Sequence, residues 1–186
     1  MQNFDIAIVG GGMLGIAHAY HALEAGLKVA VLEKDPQASG ATVRNFGQIV
    51  PSGMDSKWQT YGRRSLEIYQ QLQSLGDITL RPGGSIYVAS NEEEMTLLEE
   101  LAHINKGDDY ESKLLSKSEC LHQYPGLRSD YVLGGLYFPQ EYTVDPRQAI
   151  HRITSILQEQ KGLQYFPGHW VFDLEEAGEK IRLVNN

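Results

Sequence analysis

Residues 5–15 read DIAIVGGGMLG, and this stretch decides the fold of the chain. Its four apolar residues, 6–9, run without a polar interruption, which is typical of a strand buried on both faces of a parallel sheet. The glycines that follow lead into a helical pattern that ends at Gly26. A second apolar strand, residues 29–32, then ends at Glu33. The start of the chain is therefore predicted to form one βαβ unit.

The glycines Gly10, Gly12 and Gly15 have the spacing of a dinucleotide-binding fingerprint between the first strand and the first helix. Glycines in this pattern allow a tight turn, a close approach to a pyrophosphate and close packing of helix on sheet. The helix N-terminus offers N–H groups and a partial positive charge to the pyrophosphate. Glu33 stands where a carboxylate accepts hydrogen bonds from an adenosine ribose, and its charge disfavours NADP. The motif alone does not separate FAD from NAD.

The composition of the 186-residue chain excludes several classes of protein. With 41% hydrophobic and 22% charged residues, it is typical of a soluble globular domain. A net charge of -8 without a basic cluster argues against a nucleic-acid-binding surface. Neither a signal peptide nor a membrane span is predicted, and the single Cys120 cannot form an intrachain disulfide, so we expect a cytoplasmic protein. The scattered histidines predict no metal site.

The rest of the chain alternates loops, helices and short strands. Residues 35–53 predict a long loop, which is usually functional. Further elements follow from periodicity and capping signals: a helix over 56–75, a strand over 86–88, a capping box at Ser90 and Glu93, a short helix over 114–124, a helix that starts at Pro146 after Asp145 and continues to Gly162, and a hairpin over 170–184.

Several stretches, taken in this order, resemble the D-amino-acid-oxidase-like flavoprotein oxidoreductases, which include glycine oxidase and sarcosine oxidase. The similar stretches are residues 5–17, residues 26–34, SGATVRNFGQI at 39–49, PGL at 125–127, GGLY at 134–137 and VDPR at 144–147. Within the loop, the sequence Arg44-Asn45-Phe46-Gly47 is most similar to that of a clade of these oxidases proposed to act on aminophosphonates.

The resemblance implies an α/β fold, in which a Rossmann-like FAD-binding βαβ sheet is interleaved with the start of an α+β substrate domain. It implies a first part of the FAD-binding domain at 1–77, a partial substrate domain at 78–142 and an incomplete return to the FAD-binding domain at 143–186. Family members are roughly twice as long. We therefore expect an N-terminal half that lacks a C-terminal half, or that self-associates through the apolar surface left uncovered.

The resemblance also implies noncovalent FAD and the residues that would hold it, but it assigns no catalytic residue. The reaction implied is oxidation of the C–N bond of a small amine, an amino acid or an aminophosphonate, to an imine that hydrolyses. The residues implied to bind FAD are Gly10, Gly12, Met13, Leu14 and Gly15 at the pyrophosphate, Glu33 and Lys34 at the adenosine, Arg44, Asn45, Phe46 and Gly47 on the flavin side, and the backbone of Val171 at the adenine.

Three alternatives stay open at this point. An NAD-dependent dehydrogenase shares the glycine fingerprint but does not need the loop at 39–49. A nonenzymatic flavin- or nucleotide-binding module would bind the cofactor without turnover. A half-enzyme would need a second polypeptide to complete its site.

Overall fold

The computed structural model describes residues 2–107 and 109–186. In chain order the elements are β1 (Ile6–Val9), α1 (Met13–Glu24), β2 (Val29–Glu33), β3 (Gln48–Ile49), α2 (Ser56–Leu75), β4 (Ser85–Ala89), α3 (Glu92–Gly107), β5 (Lys113–Ser116), α4 (Lys117–Gln123), β6 (Gly134–Phe138), β7 (Tyr142–Thr143), α5 (Pro146–Lys161), β8 (Gln164–Pro167), β9 (Val171–Ala177) and β10 (Lys180–Asn185).

These elements group into two compact units, each assembled from segments that are distant in sequence. The first unit contains the chain up to Gly47, together with Gln71–Thr79 and the chain from Val144 on. The second contains Gln48–Gln70 and Leu80–Thr143. Residues 48–70, predicted above within the first FAD-binding segment, thus group with the second unit.

The first unit is built on a parallel sheet in the order β1-β2-β8. All five residues of β2 are buried, and α1 contacts both β2 and α5. The predicted βαβ unit and α/β fold are confirmed. The predicted burial of the first strand on both faces is wrong, because Ile6 and Val9 are 37% and 58% exposed. Among the described residues β1 pairs with β2 alone, so it lies at the edge of this sheet.

Two further predictions in the first unit are confirmed. The carboxylate of Asp145 accepts a hydrogen bond from the backbone N–H of Arg147 and caps α5, which ends at Gly162 in the left-handed conformation (φ 77°). A carboxylate at the N-cap and a glycine after the last turn are the end signals that favour such a helix. The predicted hairpin is the antiparallel pair β9–β10.

The second unit contains an antiparallel sheet in the order β4-β6-β5 and the short pair β3-β7. Two sequence predictions are corrected here. The N-terminal side-chain cap of α3 is Asn91 rather than Ser90: its side-chain oxygen accepts from the N–H of Glu94 at 2.9 Å. The segment 114–124 begins as strand β5, and a capping box of Ser116 and Glu119 then starts α4. Strand β5 forms because its backbone pairs with β6, a partner that local periodicity does not reveal.

Glu141 is a fully buried carboxylate in the second unit. It accepts hydrogen bonds from the backbone N–H of Ser52 at 2.8 Å, from the Tyr110 hydroxyl at 3.0 Å and from the Ser85 hydroxyl. Burial, and then the charge of Glu141, raise the pKa of Tyr110 well above its ordinary value. The carboxylate therefore ties the turn at Pro51–Gly53 to strand β4 and to the chain after α3.

Candidate functional site

The turn between β1 and α1 depends on two of its glycines for physical reasons. Gly10 has a φ of +104°, a backbone conformation that side chains other than glycine rarely adopt. A Cβ on Gly15 would lie 1.9 Å from the carbonyl oxygen of Gly10, so helix and turn approach each other closely only because Gly15 has no side chain. The predicted roles of a tight turn and close packing match this geometry.

Glu33 ties the end of β2 to that turn. Its side chain is buried, with 7% of the residue exposed. One carboxylate oxygen accepts from the N–H of Gly11 at 2.7 Å, and the other accepts from the N–H of Asp35 at 3.0 Å. Two backbone donors thus hold a carboxylate at the carboxyl edge of the sheet, where α/β proteins bind nucleotides.

The segment after β8 returns to the same edge. The N–H of His169 donates to the carbonyl oxygen of Glu33 at 2.8 Å, and the N–H of Gly168 donates to that of Asp35 at 3.1 Å. These bonds bring the start of β9, with the half-buried Val171, near the end of β2.

Thr42 is a site residue that sequence reasoning missed. Its hydroxyl oxygen accepts a hydrogen bond from the N–H of Met13 at 3.0 Å, in the first turn of α1. A Cβ on Gly12 would lie 3.1 Å from the same oxygen. The loop therefore places a hydroxyl at the helix N-terminus, where a phosphate oxygen would be favoured. A threonine within a predicted functional loop was the only signal, since the contact joins residues 29 positions apart.

Asn45 shapes the loop around Thr42. Its amide nitrogen donates to the carbonyl oxygen of Thr42 at 2.6 Å, and its amide oxygen accepts from the N–H of Gly47 at 2.7 Å. Gly47 has a positive φ, and the N–H of Val144 donates to its carbonyl oxygen. Asn45 and Gly47 thus hold the loop, whereas the neighbouring Arg44 and Phe46 are exposed, Phe46 to 92%.

A cleft of about 750 Å³ lies between the glycine turn, the end of β2 and the loop. Its lining combines a helix N-terminus, the two carboxylates of Glu33 and Asp35 and two cationic side chains, which suits a ligand with both a pyrophosphate and a ribose. The predicted residues that line it are Gly12, Glu33, Lys34 and Arg44; Gly10, Met13, Leu14 and Gly15 form the adjoining turn and helix start.

Residues 2–107 and 109–186 contain neither a cluster of metal ligands nor a membrane-spanning helix. No group of three or more His, Cys, Asp or Glu side chains is placed to hold a metal ion. Across the same residues, no helix is both long and apolar enough to cross a membrane.

Comparisons with known proteins point to one family. A family described as DAO, FAD dependent oxidoreductase, matches residues 5–186. Mouse mitochondrial sarcosine dehydrogenase is 29% identical over 146 residues, which are 76% of this chain and 16% of that protein. Gamma-glutamylputrescine oxidoreductase of Escherichia coli K12 is 34% identical over 112 residues, 52% of this chain and 26% of that protein.

Solved structures share the fold. Glycine oxidase from Geobacillus kaustophilus superposes with a TM-score of 0.86 at 23% identity, over 100% of this chain and 52% of that one. L-proline dehydrogenase from P. horikoshii gives a TM-score of 0.88 at 21% identity, over 100% and 50%. The chain spans about half the length of these structures and a smaller share of the curated relatives. Since the family match covers nearly the whole of it, this chain belongs to the DAO family of FAD-dependent oxidoreductases.

Proposed function

We propose that this chain is the nucleotide-binding part of an oxidoreductase that uses noncovalent FAD to oxidise the C–N bond of a small amine. The observation that carries the proposal is the cleft in which Glu33, Gly12 at the start of α1 and the loop with Arg44 meet. Family membership supports FAD over NAD as the dinucleotide. The activity and substrate belong to the proposal, because the chain spans only about half of its structural relatives.

Each part of the cleft has a proposed task in binding. The hydroxyl of Thr42, whose oxygen accepts the N–H of Met13, lies where a pyrophosphate would accept a hydrogen bond from it at the helix N-terminus. The carboxylate of Glu33 accepts hydrogen bonds from the ribose hydroxyls. Lys34, beside it, adds a positive charge. The backbone of Val171 is proposed to meet the adenine.

On the flavin side the loop supplies positioning rather than acid–base chemistry. When bound, the flavin accepts the hydrogen and electron pair from the substrate C–H bond. Asn45 and Gly47 hold the loop backbone, and Arg44 is an exposed guanidinium in its middle. A guanidinium binds a carboxylate or a phosphonate through two parallel hydrogen bonds, so Arg44 is the proposed anion contact for an amino acid or an aminophosphonate.

The test of the cofactor is the visible absorption spectrum of the purified chain, followed by heat release and mass spectrometry of any chromophore. A flavin spectrum and released FAD, either as purified or after FAD is added, are expected. Released NAD, or failure to take up FAD while NAD binds, would overturn the proposal in favour of a dehydrogenase.

The substrate class is tested by adding glycine or aminomethylphosphonate to the FAD-loaded chain and recording the change in the flavin spectrum. Arg44→Ala is expected to weaken the binding of both anionic ligands at least about tenfold, because the charge-assisted hydrogen bonds of the guanidinium are lost. Arg128→Ala, which removes an exposed arginine paired with Asp130, is the matched control. Equal affinity in wild type and Arg44→Ala would remove Arg44 from the anion site.

A further inference from the structure

Tyr165 lies directly against the middle glycine of the turn. It belongs to β8 and is opposite Val31 in the register with β2, so its side chain is on the same face of the sheet as Val31 and Glu33. A Cβ on Gly11 would be 2.6 Å from the tyrosine hydroxyl oxygen and 2.8 Å from ring atom Cε2. Real Cβ atoms essentially never approach another atom this closely, so a side chain at Gly11 would require the tyrosine ring to shift.

The dinucleotide fingerprint does not explain Gly11. The pattern requires glycine at positions 10, 12 and 15 and leaves position 11 open. Gly11 is also outside the set of glycines with positive φ, so its backbone conformation is open to other residues. The Tyr165 ring is the group that a side chain at this position would meet.

Gly11 is also the donor that holds the proposed ribose acceptor. Its N–H donates to Glu33 at 2.7 Å, and Gly11 itself is buried. Burial, and then the charge of Glu33, raise the pKa of Tyr165. The hydroxyl therefore stays protonated near neutral pH, and the tyrosine adds no second negative charge beside the carboxylate.

We propose that Tyr165 is a positioning residue of the nucleotide site. Its ring supports Gly11, and through the Gly11 N–H it orients the Glu33 carboxylate towards the two hydroxyls of an adenosine ribose. This inference rests on the proposed function and extends it to a residue of β8 outside the glycine motif, the end of β2 and the loop. The ligand feature it selects is a ribose with free 2′ and 3′ hydroxyls.

The contact between ring and glycine is tested without any ligand by a double-mutant cycle on thermal stability. Gly11→Ala is expected to lower the melting temperature by about 4–8 °C, because the new Cβ overlaps the ring. In a Tyr165→Ala background the same substitution should lower it by less than about 1 °C. Gly15→Ala is the control: its Cβ overlaps the backbone oxygen of Gly10, so Tyr165→Ala cannot relieve it. An unchanged cost of Gly11→Ala in both backgrounds would overturn the proposal.

The effect on the ribose is tested by measuring the dissociation constants of ADP and 2′,3′-dideoxy-ADP for wild type, Tyr165→Leu and Tyr165→Phe. Tyr165→Leu is expected to weaken the binding of ADP about tenfold and to leave the affinity for dideoxy-ADP unchanged. Only ADP has the ribose hydroxyls that the oriented carboxylate binds. Tyr165→Phe keeps the ring and should bind ADP like wild type.

Three outcomes separate this inference from the proposed function. Equal weakening of both nucleotides by Tyr165→Leu would show a merely structural role and overturn the positioning of Glu33. Wild-type binding that does not distinguish the two nucleotides would overturn the ribose role of Glu33, and with it that of Tyr165. Coupling in the stability cycle together with no binding of ADP or FAD would refute the proposed function and leave only the packing contact.

Discussion

Strands β1 and β2 have almost the same sequence character and very different surroundings. Their sequences are IAIV and VAVLE, both runs of apolar residues except for the glutamate that ends the second. Every residue of β2 is buried between β1 and β8 under helix α1, whereas β1 is mostly exposed and pairs with β2 alone among the described strands. An apolar run therefore indicates that a strand can be buried. Whether it is buried depends on how many neighbouring strands it has in the sheet.

The largest effect is expected from a charge placed in each strand. Val31→Asp in β2 buries an unpaired carboxylate at a residue with 0% exposure and should cost about 4 kcal/mol or prevent folding. Val9→Asp in β1, at a residue that is 58% exposed, should change the free energy of unfolding by about 0.5 kcal/mol or less. Urea denaturation measures both. Equal costs would show that β1 is covered in solution.

The two ends of the strands should differ in nucleotide binding. Glu33→Gln, at the carboxyl end of β2, removes the charge that is proposed to hold the ribose and should weaken ADP binding about tenfold. Asp5→Asn is the matched control, since its carboxylate accepts the N–H of Lys28 at the opposite end of the same strands. Isothermal titration calorimetry measures the affinities. The assignment of Glu33 fails if both variants bind ADP like wild type.

The exposed edge itself is expected to promote self-association. Val9→Lys introduces a charge at the edge, a device by which natural sheets avoid pairing with other chains, and should lower the associated fraction at a given concentration severalfold. His18→Lys, at an exposed position of α1, controls for the added charge. Sedimentation velocity measures the distribution of species. If Val9→Lys leaves the associated fraction unchanged, any contact between copies of the chain lies elsewhere on the molecule.

A smaller effect on stability is expected from removing the N-terminal cap of helix α5 in the same unit. The Asp145 side chain caps α5, and hydrogen bonds from Gln148 and from the backbone of Arg147 lower its pKa. A lowered folded-state pKa contributes stability that is present above the ordinary pKa of an aspartate and is lost as the pH falls through the lowered value. Asp145→Ala should thus reduce the melting temperature slightly at neutral pH and have no effect in strong acid. A difference in melting temperature between wild type and Asp145→Ala that does not depend on pH would contradict the role of a charged cap.

Local chemistry explains what the sequence predicted well. The glycine turn, helix α5 and the β9–β10 hairpin depend on residues close together in the chain, where a glycine conformation or a side-chain cap acts over a few positions. Capping signals were less decisive where two residues that can cap a helix are adjacent in the sequence. The cap of α3 moved by one residue, from Ser90 to Asn91, because both side chains can accept hydrogen bonds and the helix geometry decides which does.

By itself the sequence determined the βαβ unit, the glycine turn and the presence of a carboxylate at the end of β2, because strand hydrophobicity, glycine spacing and helix signals are properties of contiguous residues. Only the tertiary structure decided that β1 lies at an edge, that 113–116 is a strand, and that Thr42 and Tyr165 reach the turn. Those features depend on pairing and contacts between residues far apart in the chain, whose distances no local pattern encodes.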